Sequence, residues 1–202
     1  FKLLSLLPFG SLAFRGSLAS ALAAALTSFI LFRISLVTAR SLDQKAPRWM
    51  APIFGLLGGV FLSSTPALWS GATQSGAHSL QLALEALCFF SLFHFALGER
   101  GARDGRHLTA ATLAFGLALS NHHFSALLLL PGIILLLTED AMKGWARTVK
   151  LFLLGGLPGI VVGSLPLIHL LLRAGRAPSA VSLGESSDFN TFFWVVSARS
   201  FR

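Results

Sequence analysis

Residues 108–137 read LTAATLAFGLALSNHHFSALLLLPGIILLL, and the fold turns on whether they cross a membrane once or twice. Thirty residues make about 45 Å of helix, too long for one ordinary pass through a hydrocarbon core about 30 Å thick. One pass would also bury Asn121, His122 and His123 at its middle. Two short passes, 108–120 and 123–137, broken at these three residues, remove both difficulties.

The charges on either side favour two passes. Loops 39–50, 98–107 and 139–150 carry three Lys or Arg each, while the turns at 69–77 and 121–123 carry none. With six passes all three basic loops fall on one side, which the positive-inside rule makes cytoplasmic. With five passes, loops 98–107 and 139–150 fall on opposite sides. The six-pass reading places its spans at about 17–38, 52–68, 78–97, 108–120, 123–137 and 151–172. Residues 173–202 are polar and begin an outer-face segment. Residues 1–14, with Pro8, Gly10 and then Arg15, read as an interfacial segment.

Composition supports a membrane setting independently. The 202 residues are 54% hydrophobic and 12% charged, with mean hydropathy +0.73. A soluble domain carries about 25% charged residues. The expected fold class is therefore all-α, a polytopic membrane helix bundle. The net charge of +8 sits in short loops, a pattern that sets topology, so nucleic acid is excluded as a partner. Membrane lipids are the expected surroundings. The single cysteine, Cys88, permits no intrachain disulfide. Gly55, Gly58 and Gly59 in the second span suit close helix packing.

The polar residues gather toward the uncharged side. In WSGATQSGAHSLQLALE, residues 69–85, Gln74, His78, Gln81 and Glu85 stand at offsets 0, 4, 7 and 11. That spacing puts all four on one helical face. A carboxylate inside a span costs about 2.5–3.5 kcal/mol on insertion scales, so Glu85 is expected to face a protein interior or water. The same stripe also suits a structural bond to a neighbouring helix. Asn121 and His122 reach the same side. So do Arg173 and Arg176, as lipid-headgroup anchors or as ligands of a lipid-linked phosphate, which guanidinium geometry fits. Adjacent imidazoles such as His122 and His123 point about 100° apart on a helix, so no metal site is expected. His94 receives no role. No phosphate-binding glycine loop, paired-cysteine motif or nucleophile elbow is present in the sequence.

Four segments carry a family resemblance: LLSLLPFGSLAFRGSLASALAAALTSF, LSSTPALWSGATQSGAHSLQLAL, FGLALSNHHFSALLLLPGIILLL and LPLIHLLLRAGRAPSAVSLGESSDFNTFFW. In this order and spacing they resemble glycosyltransferase family 117, bacterial membrane proteins related to the eukaryotic transmembrane-260-type protein O-mannosyltransferases. The most specific parts are Pro8–Gly10 with Arg15, the turn from Pro66 to Trp69, the segment from Gly116 to Asn121, and the tail from Arg173. The chain departs from the family pattern at Gly76 and His78, where an acidic residue and a tyrosine are common, and at Val195 in the tail.

The resemblance implies a GT-C glycosyltransferase, here a fragment, in a bacterial inner membrane. Such enzymes transfer a mannose-like sugar from a polyprenyl-phosphate donor to a protein hydroxyl on the outer face. No cofactor is implied; the lipid-linked sugar is a substrate. The catalytic carboxylate is expected in an outer loop upstream of Phe1. Gln74, His78, Gln81, Glu85, Asn121 and His122 are then candidate cavity residues, and Arg173 and Arg176 candidate ligands of the leaving phosphate. Two other readings stand beside it: a transporter or lipid-handling protein without chemistry, and an inactive scaffold of the same fold. A transporter would show inverted repeats with matching broken helices, and only one broken segment is seen.

Overall fold

In a computed structural model, residues 8, 10–42, 47, 49–73, 77–97 and 105–167 are described, and among them there is no strand. Helix α1 is Leu12–Leu42, α2 Met50–Ser63, α3 Pro66–Thr73, α4 Ala77–Leu97, α5 Gly105–Leu127 and α6 Leu130–Leu151. A π-helical turn, Phe152–Gly156, joins α6 to α7, Leu157–Gly163.

Helix α1 shows which solvent the fold is built for. Ser20, Ala24 and Thr27 are buried, whereas Leu22 and Phe29 are 62% and 58% exposed. A water-soluble helix would do the reverse. Lipid tails give leucine no reason to hide, and small residues let helix backbones approach. The Thr27 hydroxyl donates to the Ala23 carbonyl at 2.9 Å, so its burial leaves no unpaired donor. Ala13–Ser41, His78–Leu97 and Gly144–Leu167 are each long and apolar enough to cross a membrane, and Met50–Phe61 and Phe124–Glu139 are shorter apolar helices. The chain is an all-α membrane helix bundle.

The start of α1 is clamped locally. Gly10 lies in the left-handed region at φ 70°, which a side chain would strain. The Ser11 hydroxyl accepts from the Phe14 amide at 3.2 Å as an N-cap, and Arg15 Nη2 donates back to the Gly10 carbonyl at 3.0 Å.

Glycines then set how the helices pair. A Cβ on Gly58 would lie 2.7 Å from Ser35 Oγ, and one on Gly55 3.1 Å from the Phe32 carbonyl oxygen. Gly59, farther along α2, faces Ser28, earlier in α1, so the two helices run antiparallel. The span expected over 52–68 ends sooner, because α2 stops at Ser63 and Pro66 opens a separate α3. Proline cannot donate to the preceding turn and disfavours helix in the residue before it. Consequently Trp69 to Thr73, expected in a turn, are helical.

Helix α5 is the centre of the bundle. Leu108, Ala111, Thr112, Ala114 and Ala118 are buried almost completely. On one side it packs against α4, with Cys88 and Leu92 meeting Ala111 and Phe115. Gln81 faces Asn121 and His94 faces His107, so α4 and α5 are antiparallel. On its other side α5 meets the π turn and α7. Gly155 approaches Gly105 and Thr109, Gly159 approaches Thr109 and Leu113, and Gly163 approaches Gly116. The register rises together along both segments, so α5 and α7 are parallel. The π turn adds one residue to the helical repeat where Gly155 and Gly156 are buried.

Two backbone breaks allow this parallel arrangement. The first is at His122, where φ −153° and ψ 89° leave the helical region inside α5. The second is at Gly144, at φ 171° and ψ 82° inside α6. The stretch expected as a charged loop over 139–150 is thus helical on both sides of Gly144. The chain reverses there without a long connection. The part of the expected last span beyond residue 167 lies outside the described residues.

Candidate functional site

Five of the expected site residues come together where α4 begins and α5 bends. Gln81 is 4% exposed and lies at the centre. Its Nε2 donates to Glu85 Oε1 at 2.8 Å, one turn on, and to the His122 carbonyl of α5 at 3.3 Å. Its Oε1 accepts from Asn121 Nδ2 at 3.0 Å. Carboxylate and carbonyl only accept, so the amide nitrogen must face both, and the orientation of Gln81 follows from chemistry. Asn121 is half-buried, and so is Glu85.

The local sequence explains why these groups meet. Residues 81 and 85 are one turn apart on α4 and share a face. Antiparallel packing brings Asn121 opposite Gln81. The break at His122 releases that carbonyl from the regular ladder. It then accepts from Gln81, and from Ser125 Oγ at 3.4 Å. Above the network the exposed rings of His78 and His122 lie with centroids 6.0 Å apart, tilted by 48°. The result is a buried amide and a half-buried carboxylate beneath two accessible imidazoles. No hydrogen bond among the described residues engages the second oxygen of Glu85.

Two neighbours belong to the same region and were not expected. Buried Ser79 donates to the Gly71 carbonyl at 2.6 Å and ties α3 to α4. Ser120 donates to the Gly116 carbonyl at 3.0 Å and to the Gly163 carbonyl at 3.2 Å, tying α5 to α7. Serine next to a polar stripe is a weak signal, because a helical serine usually bonds its own preceding turn.

Gln74, Arg173 and Arg176 lie outside the described residues, as does the side chain of His123. The described site is therefore formed by His78, Gln81, Glu85, Asn121 and His122. Among the described residues no three His, Cys, Asp or Glu side chains gather as a metal site. What these groups offer is directional hydrogen bonding to a neutral, hydroxyl-rich ligand, with one carboxylate oxygen and two imidazoles as partners.

A separate cluster was passed over in the sequence. His94 of α4 and His107 of α5 stack at 5.3 Å, at the opposite end of the same helix pair. The signal was available: the two residues flank the short 98–107 loop, and a helical hairpin brings such positions face to face.

Comparison with curated proteins and with solved structures finds no match. Residues 1–145, well over half of the chain, match the family described as the protein O-mannosyl-transferase TMEM260 N-terminal domain. The chain therefore belongs to this glycosyltransferase family, whose name implies a sugar donor and a protein acceptor.

Proposed function

We propose that this chain forms part of a GT-C-type enzyme that moves a mannose-like sugar from a polyprenyl phosphate to a protein hydroxyl. The observation that carries the reading is the Gln81–Glu85–Asn121 hydrogen-bond network, centred on buried Gln81, in a bundle of this family. A sugar is recognised by fixed donors and acceptors that match its hydroxyls, and a hydrogen-bonded amide beside a carboxylate provides both. In this reading Glu85 accepts from a sugar hydroxyl through its second oxygen. Gln81, itself fixed by Asn121, holds Glu85 in place, and His78 with His122 borders the entrance.

The acceptor hydroxyl attacks the anomeric carbon, the bond to the lipid phosphate breaks, and the proton passes to a carboxylate outside these five residues. Arg173 and Arg176 neutralise the phosphate as it leaves, where negative charge grows. The uncharged end of the bundle faces outward and the basic end faces the cytoplasm of a bacterial inner membrane. The positive charges at 39–50, 98–107 and 139–150 support this orientation.

Sugar transfer by the full-length protein tests the site. Glu85→Gln keeps the shape and removes the charge, and transfer is expected to fall at least about a hundredfold with normal expression. Arg173→Ala is expected to fall by a similar factor. Wild-type rates in both variants would remove these residues from the site.

A further inference from the structure

The break at Gly144 leaves a cleft that sugar transfer does not use. Gly144 stands where the apolar stretch Gly144–Leu167 begins, and one arm of helix runs from it on either side. Ile134, Leu137 and Thr138 share a face of the first arm, at offsets 0, 3 and 4. Trp145, Thr148, Val149 and Phe152 share a face of the second, at offsets 0, 3, 4 and 7. Together with Leu153 they line a cleft of about 270 Å³. Two apolar stripes thus face each other without closing.

The lining selects an apolar guest. Among the described residues no charged side chain lines the cleft. Its two hydroxyls turn to their own helices: Thr138 Oγ1 donates to the Leu135 carbonyl at 2.9 Å, and Thr148 Oγ1 to the Gly144 carbonyl at 3.3 Å. A sugar or a phosphate placed here would exchange water for hydrocarbon walls, at a cost. A hydrocarbon chain loses nothing by entering, and it supplies the contacts that two facing apolar walls lack. An apolar cavity of about 150 Å³ is enough for benzene, so this one takes a longer piece of chain.

The place of the cleft in the bundle selects the source of that chain. Its walls are continuous with the lipid-facing surface, since Ile134, Trp145 and Leu153 are 55%, 71% and 53% exposed. Ile134 and Leu153 stand ten and nine residues from Gly144. The cleft therefore runs about 14 Å inward from the break, the depth of one leaflet in a core about 30 Å thick. Trp145 is next to the break, at the depth where tryptophan meets headgroups. Gly155 approaches Gly105 at the start of α5, whereas the Gln81 network lies at the other end of α5. A lipid-linked sugar held at that network enters from the opposite leaflet.

We propose that this cleft holds one acyl chain of a phospholipid from the leaflet at the Gly144 end, with the headgroup outside beside Trp145. Recognition is through the chain, so the charge of the headgroup is immaterial. The site stands whether or not the Gln81 network binds a sugar.

A phospholipid with a photoreactive diazirine in its acyl chain reads the site in the full-length protein reconstituted in bilayers, with labelled positions mapped by peptide mass spectrometry. Label on residues 145–153 is expected to exceed label on the lipid-facing Leu56 and Leu57 of α2, each 59% exposed, about tenfold. Phosphatidylglycerol and phosphatidylcholine probes give the same pattern. Leu153→Trp and Ile134→Trp each fill the cleft from one arm and remove the excess, and both positions are exposed enough for the bundle to accept them. Leu56→Trp on α2 leaves the excess intact. Thr138→Val leaves it intact as well, because the guest makes no polar contact. Equal labelling of the two surfaces marks ordinary boundary lipid, or a cleft filled by residues 168–202 or by a second copy, and overturns the proposal. An excess that survives both cleft variants also overturns it. So does one removed by polyprenyl phosphate but not by unlabelled phospholipid, which assigns the cleft to the chain of the sugar donor.

Discussion

The two ends of the α4–α5 pair hold their polar side chains in opposite ways. At the uncharged end Gln81, Glu85, Asn121 and the His122 carbonyl satisfy one another across the helix boundary. At the basic end His94 and His107 meet by ring stacking. A hydrogen-bonded network specifies a shape, and the Glu85 oxygen it leaves open suits a neutral ligand with hydroxyls. A stacked ring pair fixes the spacing of two helices without a hydrogen bond between them. The same helix hairpin therefore holds two kinds of polar contact at its two ends.

The largest way to break this comparison is to spoil the packing that holds both ends. A Cβ on Gly163 would lie 2.9 Å from Gly116 Cα and from the Leu117 amide nitrogen. Gly163→Leu must push α7 away from α5, at a cost of about 3 kcal/mol. Thermal unfolding in detergent should fall sharply, and an unchanged melting temperature would show that the parallel α5–α7 contact does not support the bundle.

The next effect separates the ends. Gln81→Leu removes one hydrogen bond each from Glu85, Asn121 and the His122 carbonyl, and puts an apolar side chain beside a carboxylate. A loss of about 2–3 kcal/mol is expected in the same unfolding measurement. The smallest effect is at the other end. No hydrogen bond joins His94 to His107, so His107→Gln should change stability by only about 0.5 kcal/mol. Equal losses in the two variants would erase the distinction drawn between a hydrogen-bonded and a stacked end.

Particular residues show how far the sequence reached. Gln81 and Glu85 could be placed on one face because a helix repeats every 3.6 residues, and Asn121 could be placed at the same end because charge sets orientation. That Gln81 would be the hub could not be read, since a pairwise bond across forty residues depends on the rotation of α4 against α5. Pro66 announced a break, but the separate helix α3 was missed. Its identity as a helix rests on Ser79 reaching back to Gly71 and on packing against α1. Gly144 lies in a charged stretch that reads as a loop, and helix continues on both sides because neighbouring helices hold it.

Taken alone, the sequence determined the solvent, the helical class and the segregation of charge. These follow from composition and spacing, which are one-dimensional properties. It also determined that polar residues gather at the uncharged end. Tertiary structure alone decided that α5 lies at the centre, that α7 runs parallel to it, and that the backbone breaks at His122 and Gly144. Each of these depends on which glycine meets which carbonyl, and a lipid-facing sequence rich in Leu, Ala and Gly leaves that choice to packing. The histidine pair at the basic end is the clearest case. Two residues on either side of a short loop became one cluster only when the register of α4 and α5 brought their rings face to face.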